Sequence, residues 1–358
     1  RVYHSAVVDS WRERDRELRR LGCDIRLVSS LRWNEGGRDV LLDAGADDFV
    51  VGARTVGRHP YTFLYDPRPI VRELRGSTFD VIDVHEEPAS LAALEVRILA
   101  RLFQRGRPIV FYGAQNIAKR FPPPFRWIER GSLRRASGAH CCNREAGEIF
   151  RAKGLRGRVH TIGLGVDVDQ FAQSRATADN ERFRVGYFGR LDAHKGVDVL
   201  IRAIASTDVE LVVHGAGPME AELRELAVCS GAGDRIRFVG YVDHGQLPQR
   251  YREVDVVAVP SLRTARWVEQ FGRVAVEAMA AGVPVLASDD GALRDVVAGA
   301  GVLVRPGDVA AWRDAIVELA DNSDARIQLR AAGFARAQRY RWCEIARQQL
   351  DLYREVTA

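Results

Sequence analysis

The chain has 358 residues, 46% of them apolar and 28% charged, a balance that points to a soluble globular protein and away from disorder. That length suits two α/β domains better than one core, and no stretch approaches the roughly twenty apolar residues of a membrane helix. The net charge of +5 is unevenly divided: residues 1–165 carry 29 Arg/Lys against 20 Asp/Glu, and the remainder 24 against 28.

A basic first half beside a mildly acidic second half suggests two domains with different partners. Nucleic acid fits poorly, since no aromatic-interleaved basic motif is present. An anionic acceptor, a peripheral contact with an anionic membrane surface and a plain solvated arginine face all remain open for the first half. The opening "RVYHSAVVD" reads as a first strand, with no signal-peptide pattern. The five cysteines (Cys23, Cys141, Cys142, Cys229, Cys343) have no CxxC spacing, so reduced structural thiols in a cytoplasmic protein are expected, at most peripheral at the inner membrane face.

Along the chain, "SWRERDRELRRLG" reads as a helix stopped by Gly22, and "DIRLVSS", "FDVIDVH", "PIVFYGA" and "GAHCCN" read as strands. "GAQNIAKRFPPPFRWIERGSLRRA" mixes aromatics, prolines and arginines; it suits an interfacial helix, an acceptor-pocket wall or a loop feeding a packed helix. Gln115 and Asn116, just past a strand, are candidate acceptor contacts. The glycine-punctuated stretch after residue 159 is the expected junction, and alternation restarts with "RFRVGYFGR", "ELVVHGAG", "RIRFVGY", "DVVAVPS", "VPVLASD" and "AGVLVRP". A last amphipathic helix places Trp342, Ile345, Ala346, Leu350 and Tyr353 on one stripe. The expected division is residues 1–165 completed by a helix at about 341–358, a linker over 166–181, and a second domain over 182–340.

Two glutamates in "RWVEQFGRVAVEAMAAGVPVLAS" carry chemistry. Phe271-Gly272 marks the turn into a helix, leaving Glu269 in the preceding loop and Glu277 about one turn inside. The helix amino end offers unpaired N–H groups to phosphate, and a carboxylate is a double acceptor for a sugar diol. The pattern suits a sugar nucleotide: hexose hydroxyls on Glu269, pyrophosphate on the backbone after it, ribose on Glu277. Two solvated helix-start glutamates are the plainer alternative. In "YFGRLDAHKGVDVLIRAI", Gly189-Arg190 ends a strand and Lys195-Gly196 precedes a helix, so Arg190 and Lys195 can neutralise a diphosphate at a strand's carboxyl end. Lys195 is one of only three lysines among 53 basic residues, which favours a specific role. The bare glycine pair of "GAG", Gly215 and Gly217, is weak evidence for a dinucleotide.

"GRLDAHKG" followed by "EQFGRVAVE" resembles the signature of family-4 retaining glycosyltransferases with the GT-B fold, two doubly wound Rossmann-like domains facing a central cleft. The likeness extends over "VVHGAGPMEAEL", "RFVGYVDHGQLPQRYREVDVVAVPS" and "GVPVLASDDGALRDVV". It implies that Arg190 and Lys195 hold the donor pyrophosphate, Glu269 the transferred sugar and Glu277 the ribose. The backbone of Phe271, Gly272 and Arg273 would lie near sugar and phosphate, while Gly189, Gly215, Gly217 and the backbone at Tyr241-Val242 would complete the donor pocket. "FDVIDVHEEP" resembles the acceptor-domain strand ending in a histidine near the reacting centre, here His85. One departure is plain: relatives carry a Gly-Gly loop after the first strand, where this chain has "HSAVVDSW". Its only Gly-Gly is Gly36-Gly37, so His4, Ser5 or their backbone would substitute.

The expected function is retaining transfer of a hexose-type sugar from a nucleoside-diphosphate sugar, UDP favoured and GDP open, to the hydroxyl of a small molecule or glycan. No cofactor is expected beyond that co-substrate. No metal is expected either: Glu86 and Glu87 in "HEEP" lack companion ligands, and no DxD pair is present. A same-fold sugar-nucleotide epimerase and a non-catalytic sugar-nucleotide-binding protein are the alternatives.

Overall fold

A computed structural model describes residues 1–35, 38–45, 47–172 and 182–358. The expected Gly36-Gly37 loop lies outside these residues, as does 173–181 of the expected linker. The chain divides into two compact units, Arg1–Gly163 with Trp342–Ala358, and Leu164–Arg341.

In the first unit six strands run parallel: β1 (Leu27–Ser30), β2 (Val50–Ala53), β3 (Ile82–Val84), β4 (Ile109–Gly113), β5 (Gly138–Cys141) and β6 (Arg158–Thr161). β1 pairs with β2, and β3 to β6 pair in sequence. Val2 joins the two groups by bridging Val28 on one side and Val84 on the other. The expected first strand is therefore reduced to one bridging residue, after which the chain turns through short 3-10 segments, His4–Val7 and Asp9–Arg12. The turn follows from side-chain capture. The Ser29 and Ser30 hydroxyls donate to the His4 carbonyl, and the His4 amide donates to Glu86 at 2.8 Å. Two short antiparallel hairpins, Arg32–Glu35 with Arg38–Leu41 and Thr55–Val56 with Leu64–Tyr65, had no counterpart in the sequence reading. Their strands are too short for an alternation to register.

The closing helix, Trp342–Thr357, belongs to this unit. It buries Trp342, Ile345, Ala346, Gln349 and Leu352, and Leu350 and Tyr353 pack half-buried beside them, so the expected stripe is present but widened to take in Gln349 and Leu352. The reason is Asp83, a buried carboxylate on β3 that draws polar groups inward. It accepts from Gln349 (3.2 Å), the Tyr353 hydroxyl (2.5 Å), Arg1 (3.1 Å) and His140 (3.1 Å). A buried carboxylate is tolerated only with such partners.

The second unit has β7 (Arg184–Phe188), β8 (Glu210–His214), β9 (Ile236–Gly240), β10 (Val256–Val259), β11 (Val285–Ser288) and β12 (Val302–Val304). Their order is β9-β8-β7-β10-β11-β12, all parallel. This doubly wound order reverses between β7 and β10, and the carboxyl edge at that reversal is where open α/β sheets bind ligands. Both faces are covered. Val185 and Tyr187 pack with Leu200, Leu211 and Trp312, and Phe188 packs on the opposite face with Tyr251, Val276 and Met279. Near-continuous apolar strands follow from burial on two sides. Residues 166–172, expected as linker, lie in this core through Val166, Val168 and Phe171.

Candidate functional site

The loops after β7 and β10 meet at the reversal point. Gly189 and Arg190 follow β7 directly, and Lys195 closes a one-turn segment, Ala193–Lys195, before the helix Val197–Ile204. Ser261 follows β10, and Glu269 lies in the loop leading to the helix Arg273–Ala280. Here Lys195 Nζ is 2.8 Å from Glu269 Oε2, and the Ser261 hydroxyl donates to the same oxygen at 3.0 Å. Lys195 also lies over the Trp267 ring, 4.5 Å from its centroid. The structure thus brings Lys195 and Glu269 together, 74 residues apart in sequence, as a half-buried ion pair at a carboxyl edge. Arg190 is mostly exposed, its guanidinium 2.9 Å from Asp192, which leaves its long side chain able to reach a bound anion.

The helix Arg273–Ala280 begins where it does because Gly272 adopts φ +83°, and a Cβ there would meet Leu293 Cδ2 at 2.4 Å. Phe271 is buried beside it. The glycine of the "GAG" loop has a structural duty: a Cβ on Gly215 would meet the Gly189 carbonyl at 1.8 Å, so the loops after β7 and β8 pack backbone on backbone. Gly217 packs likewise on Leu191, Tyr241 is exposed just past β9, and Val242 is half-buried.

Glu277 is buried at 3% exposure. Its Oε2 accepts from the Tyr251 hydroxyl at 3.0 Å, and Arg273 Nε lies 3.0 Å from its Oε1. Burial pushes its pKa up, while Arg273 and then Tyr251 oppose that rise.

In the first unit, His85 follows β3 and is almost fully enclosed, stacked on Tyr112 (3.8 Å between centroids, 12°) with Tyr3 on its other side at 4.0 Å. Burial, then His140 and Arg1, hold it well below the ordinary histidine pKa, so it is neutral. Arg1 Nη2 is 3.1 Å from His85 Nδ1. A guanidinium only donates, so Nδ1 accepts and the ring proton resides on Nε2. That makes His85 a hydrogen-bond donor through Nε2, suited to orienting an oxygen. Asp83, His85 and His140 place three buried potential ligand atoms within 4.8 Å of one another. Arg1 lies 3.1 Å from both Asp83 and His85, so the charge of Asp83 is already compensated in this cluster.

His4 and Ser5 occupy the place of the family's glycine loop, and both are engaged. His4 Nδ1 is 2.6 Å from Glu86 Oε2, and the Ser5 hydroxyl donates to Glu35 at 3.0 Å. Burial opposes protonation of His4, but Glu86 outweighs it and raises the pKa. Glu86 also accepts from the Tyr65 hydroxyl at 2.6 Å. Gln115 is half-buried and Asn116 buried in the loop after β4. Near them lies a cluster absent from the sequence reading. Glu87 is pushed up to about 7 by burial and by Glu129, against Lys119, Lys153 and an N–H bond from Ala114. Lys153 Nζ is 2.6 Å from Glu129. All three lysines of this arginine-rich chain therefore act on a carboxylate of these two clusters, Lys195 on Glu269, Lys153 on Glu129 and Glu87, and Lys119 on Glu87. Ser261 and Tyr251 gave no signal in the sequence.

Two doubly wound units, the second with a charged pair at its reversal point, are the architecture of the GT-B class. A family model described as "Glycosyl transferases group 1" matches residues 169–336, and one described as "Glycosyltransferase Family 4" matches 12–170. The chain belongs to the family-4 glycosyltransferases with the GT-B fold. It is 36% identical over 235 residues to a D-inositol 3-phosphate glycosyltransferase of Xylanimonas cellulosilytica, covering 60% of this chain and 55% of that one. It is 38% identical over 205 residues to a phosphatidyl-myo-inositol mannosyltransferase of Mycobacterium leprae, covering 54% and 53%. The chain spans about half the length of the curated relatives it matches. Among solved structures, Anabaena HepE with UDP and glucose superposes with a TM-score of 0.70 at 21% identity, over 98% of this chain and 97% of that one. Sucrose-phosphate synthase of Thermosynechococcus elongatus gives 0.69 at 24%, over 96% and 91%. Among the described residues no helix is long and apolar enough to cross a membrane.

Proposed function

We propose that this protein is a retaining glycosyltransferase that moves a hexose-type sugar from a nucleoside-diphosphate sugar to an acceptor hydroxyl. The Lys195–Glu269–Ser261 constellation at the carboxyl edge of the second sheet is the observation that carries this reading. In the reaction, negative charge develops on the departing diphosphate while the anomeric carbon becomes oxocarbenium-like. Lys195, Arg190 and the amino end of the helix Arg273–Ala280 would stabilise the diphosphate. Glu269 would accept from the sugar hydroxyls, and Glu277 from the ribose. The Lys195–Glu269 pair keeps either charge from being stranded before the donor arrives. His85 would orient the acceptor through Nε2–H, and Gln115 and Asn116, in the loop after β4, are further candidate acceptor contacts.

UDP is the favoured carrier, supported by the HepE structures in complex with UDP, and GDP remains the second choice. Arginine and lysine in the diphosphate role favour a metal-independent reaction with no cofactor beyond the donor. The similarity to transferases acting on inositol 3-phosphate and phosphatidyl-inositol, together with the basic first unit, favours a phosphorylated polyol as acceptor. Exposed Trp127 between Arg126 and Arg130 supports peripheral membrane contact of a cytoplasmic protein. A same-fold epimerase would turn over without acceptor, and a non-catalytic binder would not consume donor. The test is a thermal-shift panel of UDP-, GDP- and ADP-sugars. It is followed by transfer from the best donor, the product's anomeric configuration being read from proton coupling. Stabilisation by none of these donors refutes the donor site, and an inverted product refutes retention.

A further inference from the structure

Glu277 presents an accounting problem. It is a buried carboxylate with only 3% of its surface exposed, and each oxygen faces one group: Tyr251 on Oε2 and Arg273 on Oε1, both at 3.0 Å. An ionised carboxylate offers about four acceptor positions, so about one per oxygen remains, the number that a vicinal diol fills. Keeping both positions available requires the carboxylate to be ionised and fixed in rotation.

Arg273 can supply charge but is only partly buried, with a flexible side chain. Tyr251 is different. It is fully buried, 26 residues from Glu277 in sequence, and its ring is stacked on Phe188 (4.2 Å, 22°) with its edge against Phe171 (5.6 Å). Phe188 is in turn stacked by His214 (4.4 Å, 9°). Phe188 and His214 are the last residues of β7 and β8, so the stack is anchored on the strand ends that flank the donor-side loops. A hydroxyl held by such a stack has one direction to point.

We propose that Tyr251 is a positioning residue, whose hydroxyl locks Glu277 so that its two free acceptor positions receive the 2′,3′-diol of a nucleoside diphosphate. The inference rests on the reading of Glu277 as the ribose acceptor. The groups facing the carboxylate are Arg273 from its own helix and Tyr251 from the helix Leu247–Tyr251; His244 lies 3.5 Å from the Arg273 guanidinium. Burial and Glu277 together hold Tyr251 well above its ordinary pKa, so it remains a proton donor. Removing that donor raises the Glu277 pKa further.

The experiment is calorimetric titration of the full chain with UDP, with 2′,3′-dideoxy-UDP and with GDP. The variants are Tyr251→Phe, which keeps the ring stack, and Arg273→Gln, which reports on the other oxygen should the first fail to fold. The wild type should favour UDP over the dideoxy compound. Tyr251→Phe should lower UDP affinity about tenfold and leave dideoxy-UDP binding unchanged. Its UDP affinity should also begin to fall at higher pH than in the wild type as the medium is acidified. Arg273→Gln should show the same diol-selective loss. Undiminished diol preference in Tyr251→Phe, or in Arg273→Gln where it stands in, overturns the inference, as does an equal loss for both ligands. A wild type with no diol preference, or one binding neither UDP nor GDP, instead overturns the reading of Glu277 on which it rests.

Discussion

Replacing Glu87 by glutamine should make the protein more stable at neutral and alkaline pH, and the size of the gain follows from its surroundings. Burial and the neighbouring Glu129 lift the Glu87 pKa from 4.5 to about 7. A raised carboxyl pKa means that the fold favours the protonated form. The stabilising contribution is complete below the unfolded value, declines as pH rises toward the folded value, and is gone above it. Each pKa unit is worth about 1.4 kcal/mol, so the full change is about 3 kcal/mol between about pH 4.5 and pH 8. Glu87 is half-buried, and solvent screening makes that figure a ceiling. Glutamine keeps a carbonyl oxygen for the Ala114 N–H but cannot ionise. The two proteins should therefore match near about pH 4.5 and diverge on going alkaline, by roughly 6–12 °C in melting temperature for a unit of this size. Scanning calorimetry at about pH 5 and about pH 8 measures the difference, and the His4–Glu86 pair, common to both proteins, cancels from it. A variant whose stability follows the wild-type pH dependence would refute the argument.

Three further outcomes are expected. Glu269→Gln and Lys195→Ala should each abolish transfer while circular dichroism stays unchanged, since each removes a contact strengthened in the transition state; near-native turnover in either rejects the donor assignment. His85→Ala should cut transfer severely yet leave UDP affinity unchanged in titration, because His85 belongs to the first unit; a matching loss of nucleotide binding would contradict this. Asp83→Asn should destabilise the protein by about 1–3 kcal/mol in denaturant unfolding, because Arg1 loses one of its two buried counter-charges, Asp15 remaining, and the closing helix loses its anchor. A loss under about 1 kcal/mol would mean the network is not holding that helix.

The sequence by itself determined the second unit almost completely. Its strands are short β-branched runs buried on both faces, so each is announced locally, and Gly272 marks the helix start beside Glu269 without reference to anything distant. The candidate pair Lys195 and Glu269 could be proposed for the same reason, because each sits beside a local strand-to-helix turn signal. In the first unit the opening strand, the hairpins and the final stripe were decided by tertiary contacts. His4–Val7 turns because Ser29, Ser30 and Glu86 capture the His4 backbone. The last helix buries a glutamine because Asp83, 266 and 270 residues away, accepts from Gln349 and Tyr353. The partners of the key carboxylates were decided there too: Ser261 on Glu269, Tyr251 on Glu277, Lys153 on Glu129. Periodicity and turn chemistry act over a few residues and can be read along the chain. A buried charge takes whichever donor the packed fold brings within hydrogen-bonding distance, and only the folded chain decides which donor that is.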